Sequence, residues 1–147
     1  MHIRRGRLTD LARLMELEAH SFEAERRDSA RVFHHSLASP HQEVWVVTEN
    51  RQLMGSLFIR LNPRTCRVHS IAVEASARGR GLGLRLMQLA HERALAHGCR
   101  RMSLEADARN ENLLAWYENL GYRRTTLLED YYAPGWHGYR LTRDLQP

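Results

Sequence analysis

The chain has 147 residues, 43% of them hydrophobic, which is enough to fill one core of ordinary size and argues against wholesale disorder. No apolar run approaches the ~20 residues of a membrane span, and the stretch from Met1 to Arg5 lacks the apolar core of a secretory signal, so a cytoplasmic protein without a membrane partner is expected. The formal charge is +5 and all 22 basic residues are arginine; guanidinium favours anionic ligands, but the arginines are scattered, which argues against nucleic acid as the partner.

From the N-terminus, Thr9 and Asp10 offer a helix start, with Leu11, Leu14, Met15 and Glu18 following at helical spacing. A second helix is expected over about Ser29 to Leu37, stopped before Ser39-Pro40 because proline biases its predecessor out of the helical region. Val44 to Thr48 is β-rich, and Glu49-Asn50-Arg51-Gln52 turns it into Leu53 to Leu61, forming a hairpin. The turn Asn62-Pro63-Arg64-Thr65 opens a strand from about Cys66 to Val73, in which Val68, Ser70 and Ala72 alternate against His69, Ile71 and Val73. A strong helix runs from Gly83 to His97 with Leu84, Met87, Ala90, His91, Ala94 and Leu95 as one stripe, and Gly98 closes it. Met102 to Ala106 is a short strand, and Asn112 to Leu120 is a helix closed by Gly121. Two β segments, Tyr122 to Leu128 and Trp136 to Thr142, complete the chain. The order is that of one α/β domain over 1–147, a mixed sheet with helices on its faces.

Cys66 and Cys99 lack CxxC or metal-ligand spacing and read as reduced core residues. His91-Glu92 begins an HExxH that Leu95 breaks, and the adjacent His34-His35 would point apart on a helix, so no metal is expected.

The loop Arg78-Gly79-Arg80-Gly81-Leu82-Gly83 lies between a strand and the long helix. Glycines there let a backbone approach an anion, the first-turn amides point at it, and Arg78 and Arg80 add charge. A P-loop is excluded for want of a lysine. The dinucleotide fingerprint also fails, because Leu84 and Leu86 stand where its third glycine belongs. What fits is [QR]-x-x-G-x-[GA], read at Arg78, Gly81 and Gly83. This resembles the pyrophosphate signature of the GNAT acetyltransferases. Ser70-Ile71-Ala72-Val73 is similar to that family's fourth strand, and the stretch from Asn110 to Tyr122 resembles its N-x(6)-Y-x(3)-G-[FY] block.

The resemblance spans about Ile3 to Leu145. It implies the GNAT fold, a mixed and mostly antiparallel sheet of six to seven strands flanked by about four helices. It also implies acetyl-CoA as cofactor, with CoA as product, held by Ile71, Ala72, Val73, Arg78, Gly79, Arg80, Gly81, Leu82, Gly83, Leu84, Asn110 and Tyr117. Within the superfamily the chain is most similar to the bacterial ribosomal-protein-alanine N-acetyltransferases, on Leu104-Glu105, Trp116-Tyr117-Glu118 and Tyr131-Tyr132. That similarity implies Glu105 as general base and Tyr117 as general acid, with Tyr131 and Tyr132 lining an acceptor groove.

The chemistry suits these residue types. An α-amine with a pKa of ~7.7–8.0 is several hundredfold richer in its neutral form than a lysine-like amine at ~10.4, so one carboxylate can manage it, and a phenol near the sulfur can protonate the leaving thiolate. An amide near Ala72–Val73 can polarise the thioester carbonyl. Each residue also has a purely structural reading: Glu105 as an exposed strand carboxylate, Tyr117 as packing against the sheet, Asn110 as a helix cap, the two tyrosines as core. Ser21-Phe22-Glu23-Ala24-Glu25 lacks the aromatic-proline pair common in the subgroup, and Glu74-Ala75-Ser76-Ala77 lacks a proline often found there. The first departure leaves the acceptor open between a protein N-terminus and a small-molecule amine such as a polyamine or antibiotic, in a monomer or homodimer. A non-catalytic acyl-CoA-binding module is the rival reading.

Overall fold

The computed structural model describes residues 1–145. Seven strands form one sheet: β1 (His2–Arg5), β2 (Gln42–Glu49), β3 (Gln52–Leu61), β4 (Thr65–Val73), β5 (Arg101–Asp107), β6 (Arg123–Ala133) and β7 (Trp136–Asp144), in the order β1-β2-β3-β4-β5-β7-β6. Every neighbouring pair is antiparallel except β4 and β5. Helices α1 (Leu11–Ser21) and α2 (Ala30–Ala38) cover one face, and α3 (Leu82–Ala96) and α4 (Glu111–Asn119) cover the other.

Sequence periodicity places most of these elements. On α1, Leu14 and Leu17 are buried, and α2 is capped by the Ser29 hydroxyl, which accepts from Val32 N. The β2–β3 turn has two residues, Asn50 and Arg51, both at positive φ, as a type I′ hairpin requires. The smaller core cluster joins Leu14 and Phe33 to Val44, Val46 and Phe58, while a larger one sets Leu86, Met87 and Ala90 against Val47, Leu57, Ile59 and Met102. Leu86 is fully buried, so truncating it to alanine would cost about 2–5 kcal/mol.

Three expectations need correction. The N-terminal segment is a strand, pairing from His2↔Thr48 to Arg5↔Trp45. It carries one central apolar residue, Ile3, so no alternation announces it. On α3 the buried stripe is Leu82, Leu86, Met87, Leu89, Ala90 and Ala94, whereas Leu84 and Leu95 are 42% and 46% exposed. The helix begins one residue earlier than expected and its packed face is rotated.

The third correction positions the site. Strict alternation along β4 fails because the β3–β4 register shifts: Phe58 pairs with Ser70 but Ile59 pairs with Val68. The extra residue, His69, is a bulge. Beyond it Ile71 and Val73 pack on the same core as Cys66 and Val68. The pairing of β4 with β5 also runs only from Thr65↔Arg101 to Val68↔Leu104. Past those residues the two parallel strands part, and the β4 edge from about Ser70 to Val73 has no strand beside it.

Candidate active site

Two cavities flank that opening, and the consecutive residues Ser70 and Ile71 line one each. The first, of about 540 Å³, lies on the α3–α4 face between Ile71–Val73, the glycine loop and α4. Gly79 and Gly81 take φ +80 and +78, and a Cβ at either would meet no protein atom within 4 Å. Their conformation therefore demands glycine while the space beside them stays open for a ligand. Arg85 N, bonding to Gly81 O, is the first amide to enter the ladder of α3, so the amides at 82–84 are left for an anion at the positive end of a 15-residue helix. Arg78 Nε donates to Val73 O at 3.2 Å and ties the loop to the strand.

The walls on the other side are apolar: Leu113, Trp116 and Tyr117 from α4, with the partly exposed Leu84. Tyr117 is 5% exposed and stacks edge-on against Trp116 and Tyr122. Burial pushes its phenol up to about 12, so it remains protonated at neutral pH and is available as a donor. Among the described residues the hydroxyl has no hydrogen-bond partner. The loop, β4 edge and α4 thus suit the pieces of a CoA: phosphates at the amides, an amide-bearing arm along an unpaired strand edge, and a phenol near the end of that edge.

The second cavity, of about 380 Å³, lies on the α1 face. Glu18 from α1, Asp28 and Arg26 from the segment before α2, Arg67 and His69 from β4, Glu105 from β5, and Tyr131 and Tyr132 from β6 all border it. Glu105 follows the last paired residues of β4 and β5. Its side chain is 5% exposed and both oxygens are held, Oε1 by Arg67 at 2.8 Å and Oε2 by Arg140 at 3.1 Å. Arg67 Nη1 also meets His69 Nδ1 at 3.2 Å, and His69 Nε2 meets Asp28 Oδ2 at 2.7 Å. Because guanidinium only donates, Nδ1 accepts, and the Nε2 proton of neutral His69 points to Asp28. Arg26 lies 4.5 Å over the Tyr132 ring, and the two tyrosines pack edge-on at 4.9 Å.

Of the residues expected at the site, the structure brings Ile71, Ala72, Val73, Arg78, Gly79, Gly81, Leu82, Gly83, Leu84 and Tyr117 together around one cavity, and Glu105, Tyr131 and Tyr132 around the other. Two residues stand apart. Arg80 turns away to a bidentate pair with Glu49 at 3.1 and 2.7 Å. Asn110 is the N-cap of α4, its Oδ1 accepting from Leu113 N, and it borders neither cavity. Leu113 and Trp116 also line the first cavity without a ligand role expected from sequence, although with Tyr117 they form an i, i+3, i+4 apolar face. Glu18, Asp28, Arg67 and His69 likewise border the second with no role expected. The one sequence signal for the last pair is two cationic or titratable residues in a strand otherwise apolar at alternate positions.

Comparison with known proteins agrees with this geometry. The model of the acetyltransferase (GNAT) family matches residues 11–122. The chain is 33% identical over 148 residues to the N-alpha-acetyltransferase RimI of Mycobacterium tuberculosis, covering 95% of this chain and 90% of that one. Its fold superposes on the ribosomal-protein-S18-alanine N-acetyltransferase from Escherichia coli with a TM-score of 0.90 at 19% identity, covering 99% of this chain and 94% of that one. It superposes likewise on an aminoglycoside 6'-N-acetyltransferase complexed with coenzyme A, with a TM-score of 0.82 at 16% identity, covering 100% and 98%.

Proposed function

The chain belongs to the acetyltransferase (GNAT) family and is an acetyl-CoA-dependent N-acetyltransferase, and we propose that its acceptor is the α-amine of a protein N-terminus. The observation that carries this is the charge balance of the acceptor cavity. Four carboxylates border it (Glu18, Glu25, Asp28, Glu105), but Glu105 is matched by Arg67 and Arg140, and Arg26 adds a further positive charge. A polycation such as a polyamine or an aminoglycoside would find few unmatched anions there, whereas a single ammonium at the end of a neutral chain is well matched. The similarity to an N-alpha-acetyltransferase points the same way.

In this reading acetyl-CoA, when bound, supplies an acetyl thioester open to attack by a neutral amine. The amides of the loop at 79–84 hold its phosphates and the edge Ile71–Val73 pairs with its arm. An amide at the level of Ala72–Val73 polarises the carbonyl, Tyr117 donates to the departing sulfur, and Glu105 takes a proton from the amine, directly or through a water. Tyr131 and Tyr132 form the wall along which the acceptor chain lies. The mechanism needs Tyr117 on one side of the split sheet and Glu105 on the other, with the reacting atoms in the gap between β4 and β5.

Thiol release from acetyl-CoA tests the proposal with four acceptors: a peptide with a free N-terminus, the same peptide with its terminus blocked and one lysine added, spermidine, and an aminoglycoside. Turnover confined to the free N-terminus is expected. Preference for spermidine or the aminoglycoside would overturn the acceptor reading, and tight acetyl-CoA binding with no turnover on any amine would favour the binding-module reading.

A further inference from the structure

Four carboxylates in the described chain belong to residues less than a tenth exposed: Asp10, Glu18, Glu43 and Asp107. Glu105 adds a fifth side chain, 5% exposed. Four of the five are held by guanidinium: Asp10 by Arg4, Glu43 by Arg93, Asp107 by Arg109, and Glu105 by Arg67 and Arg140. This is the ordinary requirement for burying a charge. Glu18 alone has no guanidinium. Its Oε2 accepts one hydrogen bond, from Asp28 N at 3.0 Å, and among the described residues Oε1 has no partner. Glu18 itself borders the acceptor cavity.

Resting on the N-acetyltransferase reading above, we propose that Glu18 is the group that receives the acceptor's ammonium and removes its first proton, leaving Glu105 to take the second. An amine reaches the site carrying three protons and leaves as an amide carrying one, so two must be removed from nitrogen. The first transfer breaks an N–H bond and forms an O–H bond on Glu18 Oε1, which frees the nitrogen lone pair; Glu18 then returns that proton to water at the cavity mouth. The second proton is lost as the N–C bond forms and the C–S bond breaks. Glu105 accepts it and passes it on to restore the phenol of Tyr117, which has protonated the sulfur. The balance is one amide, one thiol and one proton released.

The surroundings suit a carboxylate that must alternate between charged and neutral. The charged and titratable groups facing Glu18 are Arg27 and Asp28 from the segment after α1 and His69 from β4, with Glu25, Arg26, Arg67, Glu105, Tyr131 and Tyr132 also around the cavity. Arg67 is committed to Glu105 and His69 to Asp28, so neither side chain locks Glu18 in its charged form. Burial pushes its carboxyl up to about 7, against the hydrogen bond from Asp28 N, so at neutral pH it can both take up and release a proton.

Glu18→Gln tests the assignment, because the amide oxygen can still accept from Asp28 N while titration is abolished. With a free-N-terminal peptide as acceptor, only the neutral fraction of the amine would then be competent, about a tenth at pH 7 for a pKa of ~7.7–8.0. The expected result is a kcat/KM about tenfold below the unsubstituted enzyme at pH 7, with the two converging by pH 9. A peptide whose terminal residue carries a fluorinated side chain, neutral at pH 7, should show no difference between the two proteins. Calorimetry supplies a reading independent of turnover: the unsubstituted protein should bind the free peptide more tightly than its N-acetylated form, and Glu18→Gln should lose that preference. Superimposable pH profiles and an unchanged preference would overturn the role of Glu18 and leave the enzyme reading standing. No turnover by the unsubstituted protein on any amine would instead overturn the enzyme reading, and this inference with it.

Discussion

The isolation of Glu18 has a consequence for folding that needs no substrate. Its carboxyl titrates at an ordinary 4.5 in the unfolded chain and near 7 in the folded protein, chiefly because burial disfavours the charged form. Between those values the folded state keeps a proton that the unfolded state has lost, so the folded state binds more protons and stability falls as pH rises across pH 4.5 to 7. Integrated over that shift, the cost is under about 1 kcal/mol at pH 5 and about 3 kcal/mol at pH 7 to 8. Glu18→Gln removes it while keeping the acceptor for Asp28 N. The variant should therefore melt roughly 6–12 °C above its parent at pH 8, taking about 2–4 °C per kcal/mol for a chain of this length, and only slightly above it at pH 5. Thermal unfolding followed by circular dichroism at both pH values gives the answer. Any packing change that the amide brings is common to both, so the quantity that decides is the change in the gap. A gap identical at pH 5 and pH 8 would refute the view that Glu18 carries an uncompensated desolvation cost.

Three further substitutions probe the cofactor side. Gly81→Val should fold with a loss of about 1–2 kcal/mol from its positive φ, since no protein atom lies near its Cβ, yet weaken acetyl-CoA binding at least 100-fold by calorimetry; unchanged affinity would remove the loop from the cofactor site. Tyr117→Phe deletes a hydroxyl with no partner in the described protein, so melting should hardly move while turnover falls about 100-fold or more at nearly constant acetyl-CoA affinity; undiminished turnover would end its role as acid. Glu49→Gln frees Arg80 from its bidentate pair and should raise acetyl-CoA affinity a few-fold at low salt, with the gain fading above about 0.5 M salt as screening sets in. A gain that persists at high salt would point to a cause other than charge.

The two halves of the site differ in how far they could be seen from sequence. The glycine loop and α4 are local: the positive φ of Gly79 and Gly81 and the Leu113, Trp116, Tyr117 face are each set within a few residues, so spacing alone brings them out. The acceptor cavity is assembled from α1, the segment before α2, β4, β5 and β6, whose members are up to 114 positions apart, from Glu18 to Tyr132. In sequence Glu18 reads as one more residue on an amphipathic helix, and only the fold reveals that it is buried without a cation. Asn110 stands out in sequence through its place in a recognisable block, and the structure adds that its Oδ1 caps α4.

In the proposed reading, the bulge at His69 lets a single sheet serve two ligands. With unbroken alternation, Ser70 and Ala72 would continue the core face of Val68, and Ile71 would face α1 with Arg67. One extra residue reverses that parity, so that Arg67, His69 and Ser70 border the acceptor cavity while Ile71 and Val73 turn toward the cofactor cavity. The same stretch is where β4 and β5 cease to pair, which leaves the β4 edge without a strand partner beside Glu105. A backbone edge for one ligand and a charged pocket for the other thus come from one inserted residue.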